Sequence, residues 1–407
     1  MGLLILSFLA FGAISAISLI GLSRYLEQDN PEMALDLFPF NVEALLNTAS
    51  KQFAAGASRG ALDVLEKQAV RLLSFNAGDA RLYSLLGELE MRKASPDTAM
   101  AAFEKALALA RTEIHASQRV LFHAVESGNT ADILDRLDAL FRRWPDRIAA
   151  YAPLIPQVFS QPEQYEMLVR RVNARPPWTS TLISKLADNE ETLPFSAQLI
   201  QDLAATAFPL RLEDISNVTN GLINAQQYDL AYRTFFLTLS PKQQDLMGYV
   251  YNGRFRSAPT GRPFDWQIRS HPGVVFSYPA TENDASTHGL ALEFQQAPVR
   301  DLQVRQYLLL PAGHYSLSLR ASAVAARLPK GLFWNVRCVD SNARLAQIPL
   351  KDGTYRDIAF KADITVPPTR CPLQSLHLST SALSESWNDR YGGTMVFDDI
   401  EITERSQ

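Results

Sequence analysis

The sequence predicts a multidomain chain, α then β: an N-terminal transmembrane helix, a helical-repeat half and a C-terminal antiparallel β-sandwich. Three observations predict it. Residues 3–22 form an unbroken uncharged run, close to the ~20 residues that cross a bilayer as a helix. From about residue 30 to 247, apolar positions recur at helical spacing in a background rich in Ala, Leu, Glu and Gln. From residue 249 onward, period-two alternation of β-branched and aromatic residues takes over, punctuated by Gly, Pro, Asn and Asp. At 407 residues the chain exceeds one ordinary core, so the two patterns are read as domains 30–247 and 249–405 behind an anchor at 1–24.

The anchor is expected to be retained. A core helix apolar on every face is improbable on a domain surface, and a secretory signal has a basic n-region and a shorter apolar stretch. No Lys or Arg precedes this run, although Ala16-Ile17-Ser18 offers small residues for cleavage. Arg24 is offset by Glu27 and Asp29, so charge does not fix orientation. The two cysteines, Cys338 and Cys371, both fall in the β half. A disulfide between them would belong to an oxidising compartment, which places the bulk of the chain in the periplasm of a bacterium, single-pass in the inner membrane. The net charge of −4 excludes a nucleic-acid binder, which needs a basic face to displace counterions.

The helical half is sharpest between residues 79 and 110, where Tyr83-x-x-Leu86-Gly87 is followed by Ala99-x-x-x-Phe103-x-x-Ala106. Small Gly87, Ala99 and Ala106 allow two antiparallel helices to approach, and Tyr83 and Phe103 fill the space between neighbouring pairs. Ser95-Pro96-Asp97 supplies a cap, a preset φ and a carboxylate at the positive end of the second helix. This pattern resembles the tetratricopeptide repeat. Fainter copies flank it: Ala34 with Pro39; Gly56, Ala61 and Leu65; Ala131 with Trp144-Pro145; and Tyr228-x-x-Ala231-x-x-x-Phe235. Between residues 147 and 217 the period is lost among prolines such as Pro153, Pro156, Pro162 and Pro194, which predicts irregular hairpins. The resemblance implies a groove for a protein partner, because repeat scaffolds carry docking surfaces and no intrinsic chemistry.

In the β half, strands are read at 289–294, 302–310, 314–323, 332–339, 355–366, 373–379 and 394–403. Many strands without intervening helices imply an antiparallel sandwich. Its landmarks run in order: Asn252-Gly253-Arg254-Phe255, Phe264-Asp265-Trp266, Gly289-Leu290-Ala291-Leu292, Leu310-Pro311-Ala312-Gly313-His314-Tyr315, Trp334, and the close Met395-Val396-Phe397-Asp398-Asp399-Ile400. The order is similar to that of jelly-roll carbohydrate-binding modules. The resemblance implies polysaccharide binding and a structural calcium held by Asp398 or Asp399, oxygen ligands suiting a hard cation. Arg256 stands where that family often has an early carboxylate. No other cofactor is expected.

Sugar recognition needs exposed rings, because a flat aromatic matches the apolar C–H face of a pyranose. Trp266, Trp334, Trp387, Tyr391 and Tyr307 are available. Trp387 and Tyr391 lie in a polar stretch with Asn388, Asp389 and Arg390, which offers hydrogen-bonding company. Trp387, Tyr391, Asn388, Asp389, Arg390 and Trp266 are therefore the candidate carbohydrate-binding residues. Catalytic signatures are missing from the sequence. The six histidines are dispersed without zinc spacing, and neither a Gly-x-Ser-x-Gly elbow nor a phosphate-binding glycine loop occurs. Glu293, Asp340, Asp363, Glu385 and Asp399 supply carboxylates, but a glycosidase needs an opposed pair and nothing singles one out. The expected function is a non-enzymatic, membrane-anchored adaptor with a glycan-binding β-domain, set by analogy in exopolysaccharide or surface-polysaccharide assembly. A protein–protein adaptor that binds no sugar is the alternative, and a glycan hydrolase or lyase the second.

Overall fold

In the computed structural model, which describes residues 2–206, 208–278, 289–300, 302–380 and 389–405 and side chains from residue 14 onward, the N-terminal half is helical and the C-terminal part forms two antiparallel sheets. The chain divides into two compact units, Met1–Arg147 and Ile148–Gln407.

The first unit is built of α1 (Gly2–Leu26), α2 (Pro31–Leu37), α3 (Val42–Ala54), α4 (Arg59–Phe75), α5 (Ala80–Arg92), α6 (Pro96–Leu109), α7 (Ile114–Ser127) and α8 (Thr130–Arg143). Starts are set by capping. The side chains of Asn30, Asn41, Ser58, Asp79, Glu113 and Asn129 each accept a hydrogen bond from a first-turn N–H, satisfying donors that have no partner inside the helix. Ser95 occupies the expected cap position but makes no side-chain cap bond; Pro96 and Asp97 alone start α6. Each helix packs on the next, and α3, α5 and α7 also touch one another in turn. Gly87 matters at one contact: a Cβ there would lie 2.5 Å from the Phe103 ring, so only glycine lets α5 and α6 close over that side chain. Phe103, Ala99 and Ala106 are fully buried.

The membrane placement is corrected. Residues 3–22 do form helix, but among the described residues no helix is long and apolar enough to cross a membrane. The end of α1 is instead fastened into the helical layer. Ser23 is buried, its Oγ donates to the Ala34 carbonyl at 2.7 Å, and it accepts from Asn41 Nδ2 at 3.0 Å. Asn47 Nδ2 donates to the Glu27 carbonyl at 2.8 Å.

The second unit opens with short helices α9 (Ile148–Tyr151) and α10 (Ile155–Val158), then α11 (Pro162–Asn173), α12 (Thr179–Ala187), α13 (Leu193–Ala205), α14 (Leu212–Asn224), α15 (Tyr228–Leu237) and α16 (Pro241–Gln244). The prolines that erased the repeat period sit at first-turn positions of α10, α11 and α13, where a missing N–H costs nothing. The strands are β1 (Gln267–Ile268), β2 (Val274–Ser277), β3 (Leu290–Pro298), β4 (Val304–Leu308), β5 (Gly313–Arg327), β6 (Phe333–Cys338), β7 (Arg344–Pro349), β8 (Gly353–Val366), β9 (Gln374–Ser379) and β10 (Arg390–Glu404). They form two sheets in the orders β1-β4-β9-β6-β7 and β2-β3-β10-β5-β8. Leu292, Leu317, Leu319, Leu376, Leu378 and Met395 alternate inward and fill the space between the sheets. A run of rings crosses that core: Phe255 stacks on Trp266 at 5.0 Å, Trp266 meets Trp334 at 5.7 Å, and Trp334 meets Phe397 at 5.5 Å.

The unit boundary falls inside the helical stretch because α15 packs with the β-sandwich. Phe235, fully buried, meets Tyr251 edge-on at 5.2 Å and Phe264 at 5.9 Å, with the Arg262 guanidinium 5.2 Å from its ring centre. Tyr228 Oη donates to Asp340 Oδ1 at 2.8 Å.

Candidate functional site

Antiparallel register places directly opposed residues on one face of a sheet. In the first sheet, Gln267 pairs with Arg305, Arg305 with His377, His377 with Asn335, and Asn335 with Gln347. These residues form one transverse row across five strands, on the side opposite the core-facing row of Gln306, Leu376, Val336 and Ala346. At about 4.8 Å per strand the row spans ~19 Å. The neighbouring outward row carries Tyr307, Ser375, Arg337 and Arg344, and on the other side lie Phe333, Ser379 and Pro349. Tyr307 and Phe333 are half-buried rings at the two margins.

Several contacts fix these side chains. Arg305 Nε donates to Gln267 Oε1 at 2.7 Å, and its guanidinium carbon lies 5.2 Å from the Tyr307 ring centre. Arg337 Nη1 donates to Asn342 Oδ1 at 3.1 Å, and Arg344 Nη1 to Gln347 Oε1 at 3.0 Å. Asn335 Nδ2 donates to Ser379 Oγ at 2.8 Å. Phe333 lies over Gly331, where a Cβ would come within 2.6 Å of the ring. Two polar atoms on this face, Asn335 Oδ1 and Arg337 Nε, are buried without a hydrogen-bond partner, an uncommon condition in a folded protein. Burial, with Arg337 and Arg305 nearby, holds His377 below the usual imidazole range. Among the described residues these rows contain no carboxylate.

The outer face of the second sheet differs. There Arg320 pairs with Asp357, and Arg405, just past β10, with Asp363 at 2.9 Å. Val275 and Val324 stand exposed beside them.

The sequence-derived site residues are not brought together here. Trp387 and Asn388 lie outside the described residues. Tyr391 is fully buried and its Oη donates to the Gly331 carbonyl at 3.0 Å, and Trp266 is fully buried with Nε1 donating to the Asn252 carbonyl at 3.1 Å. Both rings belong to the core, which corrects their expected place on a sugar-facing surface: strand alternation and register turn them inward. Asp389 approaches Lys330 at 3.5 Å, and Arg390 is exposed at the start of β10. Tyr307 is the available aromatic that does reach the outer face.

At the proposed cation position, Asp399 pairs with Arg254 at 2.6 Å, and Asp398 Oδ1 accepts the Asp399 N–H at 2.7 Å. Arg254 and Arg256 line the small cleft there, about 220 Å³. Asp245 and Glu401 line the same cleft, and among the described residues no group of three or more His, Cys, Asp or Glu is placed to hold a metal. Cys338 and Cys371 form a disulfide with Cα atoms 5.0 Å apart.

No protein-family model and no curated protein matches this chain. Solved structures resemble it in part. One is a CBM4 carbohydrate-binding module, 17% identical over 38% of this chain and 99% of that one, with a TM-score of 0.29. Another comprises the CBM22-1 and GH10 modules of Clostridium thermocellum endo-1,4-beta-D-xylanase 10B complexed with xylohexaose, 13% identical over 38% of this chain and 28% of that one, TM-score 0.26. A third is a MamA RS-1 double mutant, 12% identical over 49% of this chain and 93% of that one, TM-score 0.25. At these scores the likenesses carry no further weight.

Proposed function

We propose that the chain is a non-enzymatic adaptor whose C-terminal sandwich, a jelly roll by its order of landmarks, binds a glycan across the outer face of its first sheet, while the tetratricopeptide-like helices of the first unit receive a protein partner. The observation that carries the reading is the row Gln267, Arg305, His377 and Gln347, with Asn335 buried within it and Tyr307 and Phe333 at its margins. Amide, imidazole and guanidinium groups read hydroxyls by hydrogen bonding. Flanking rings supply apolar faces for pyranose C–H groups, and a flat sheet admits a chain that continues past both ends of the site. Nothing in the row is suited to cleave a glycosidic bond, which takes two opposed carboxyl groups.

Contacts of this kind predict micromolar to millimolar affinity, about −8 to −4 kcal/mol. The test is electrophoresis of the full chain through gels containing a panel of polysaccharides, beside Gln347→Ala and Tyr307→Ala. Retardation by a polymer, reduced in both variants with their circular dichroism unchanged, is the expected result. Mobility unaffected by every polymer overturns glycan binding and leaves a protein-only adaptor. Shortening of the polymer overturns the non-enzymatic reading.

A further inference from the structure

Resting on the glycan-binding reading of this face, we infer that its ligand is an anionic polysaccharide, because the face sets Arg305, Arg337 and Arg344 side by side without a carboxylate to neutralise them. Arg305 stands on β4, Arg337 on β6 and Arg344 on β7, within two adjacent outward rows of one sheet. Each guanidinium is anchored by a neutral oxygen: Gln267, Asn342 or Gln347. None of the three is ion-paired among the described residues, whereas Arg320 on the opposite sheet, and Arg405 just past β10, are matched to Asp357 and Asp363.

The arrangement is specific against the background of the whole chain. With 39 Lys and Arg against 43 Asp and Glu, the net charge is −4, so an acidic polymer is repelled on average and must be held by a local concentration of cations. Guanidinium is suited to that task. Its fork matches a carboxylate or sulfate in two parallel hydrogen bonds, and neutral anchors orient it without consuming its charge.

The experiment uses the full chain and measures binding to polygalacturonate, to the same polymer after carboxyl reduction, and to dextran with and without sulfation. The expected result is binding to polygalacturonate that falls at least tenfold on carboxyl reduction and at least tenfold in Arg305→Gln and Arg337→Gln. Lys361→Gln, on the outer face of the second sheet, should change it less than twofold. Preference for sulfated dextran over polygalacturonate would assign the anion as sulfate and uphold the inference; a preference for the carboxylate polymer assigns a uronate. Equal binding of acidic and carboxyl-reduced polymer, or equal loss in Lys361→Gln, overturns the inference and leaves glycan binding standing. Binding to none of the polymers, with wild-type melting retained, removes the underlying reading as well.

Discussion

Glu88 shows how a single side chain organises its surroundings. It is 3% exposed and is contacted by Arg92, Arg119 and His115, the last at 2.8 Å. Burial alone would raise its carboxyl, but the hydrogen bonds from His115 and Arg119 outweigh it and hold the pKa at about 2. The folded value lies below the unfolded value near 4.5. The stabilisation is therefore complete above pH ~4.5 and is lost as pH falls toward ~2. Glu88→Gln should destabilise the first unit by about 2 kcal/mol at pH 7, since it leaves the Arg92 and Arg119 guanidinium groups facing a neutral amide. Denaturant titrations from pH 7 to 3 check it: the deficit should shrink toward the acid end, and a deficit constant with pH would contradict the account. Arg305 and Asn335 show what one strand's sequence hides. Their alternation is readable, but which residues lie beside them is fixed by register, set by partners scattered from Gln267 to His377.

Strands were legible where they are long and alternate cleanly, as β5 and β10 do. They were missed where they are short: β1 has two residues, and Arg344–Pro349 ends in a residue that reads as a break. Tyr391 was misplaced because a tyrosine flanked by polar residues looks exposed until its hydroxyl is matched to a carbonyl inside, whereas Trp266 is buried as a strand tryptophan is by default. The Asn252-Gly253 landmark, by contrast, has a visible cause. Ile400 N–H donates to the Gly253 carbonyl at 3.0 Å, and a Cβ on Gly253 would lie 1.9 Å from the Ile400 carbonyl oxygen. Gly253→Ala must push the opening segment off β10 and should cost about 2–4 kcal/mol, read as a lower denaturation midpoint. A mild effect, under ~0.5 kcal/mol, would mean the two segments do not touch in solution.

At the scale of the molecule, the composition change near residue 249 marks a change of secondary structure but not the edge of a compact unit. Phe235 and Tyr232 reach across it to Tyr251 and Phe264, contacts that no local pattern announces. A fragment comprising 249–407 should therefore expose an aromatic surface and aggregate or melt early, whereas 148–407 should unfold in a single transition near the temperature of the same unit in the whole chain. Calorimetry of both fragments decides it; equal melting temperatures would show that α15 contributes nothing to the sandwich. Arg262→Ala, which empties the space over Phe235 and leaves buried Asp265 without its nearest cation, should reproduce part of the same loss in the full chain.

The bridge between Cys338 and Cys371 ties the end of β6 to the segment entering β9, and those two neighbouring strands carry Asn335, Arg337 and His377. In the chain-entropy model, closing a loop of 33 residues adds about 3–4 kcal/mol, so Cys371→Ser should lower stability by that order. Its effect under tension is different in kind. A long polymer seated on β6 and β9 transmits drag to its holder, and a covalent tie between the loaded strands keeps them from sliding apart before the rest of the sheet yields. Pulled from its ends one molecule at a time, the oxidised chain should extend about 110 Å less than the reduced one, the length of 33 stretched residues, and only the reduced chain should let the two strands of its proposed grip separate.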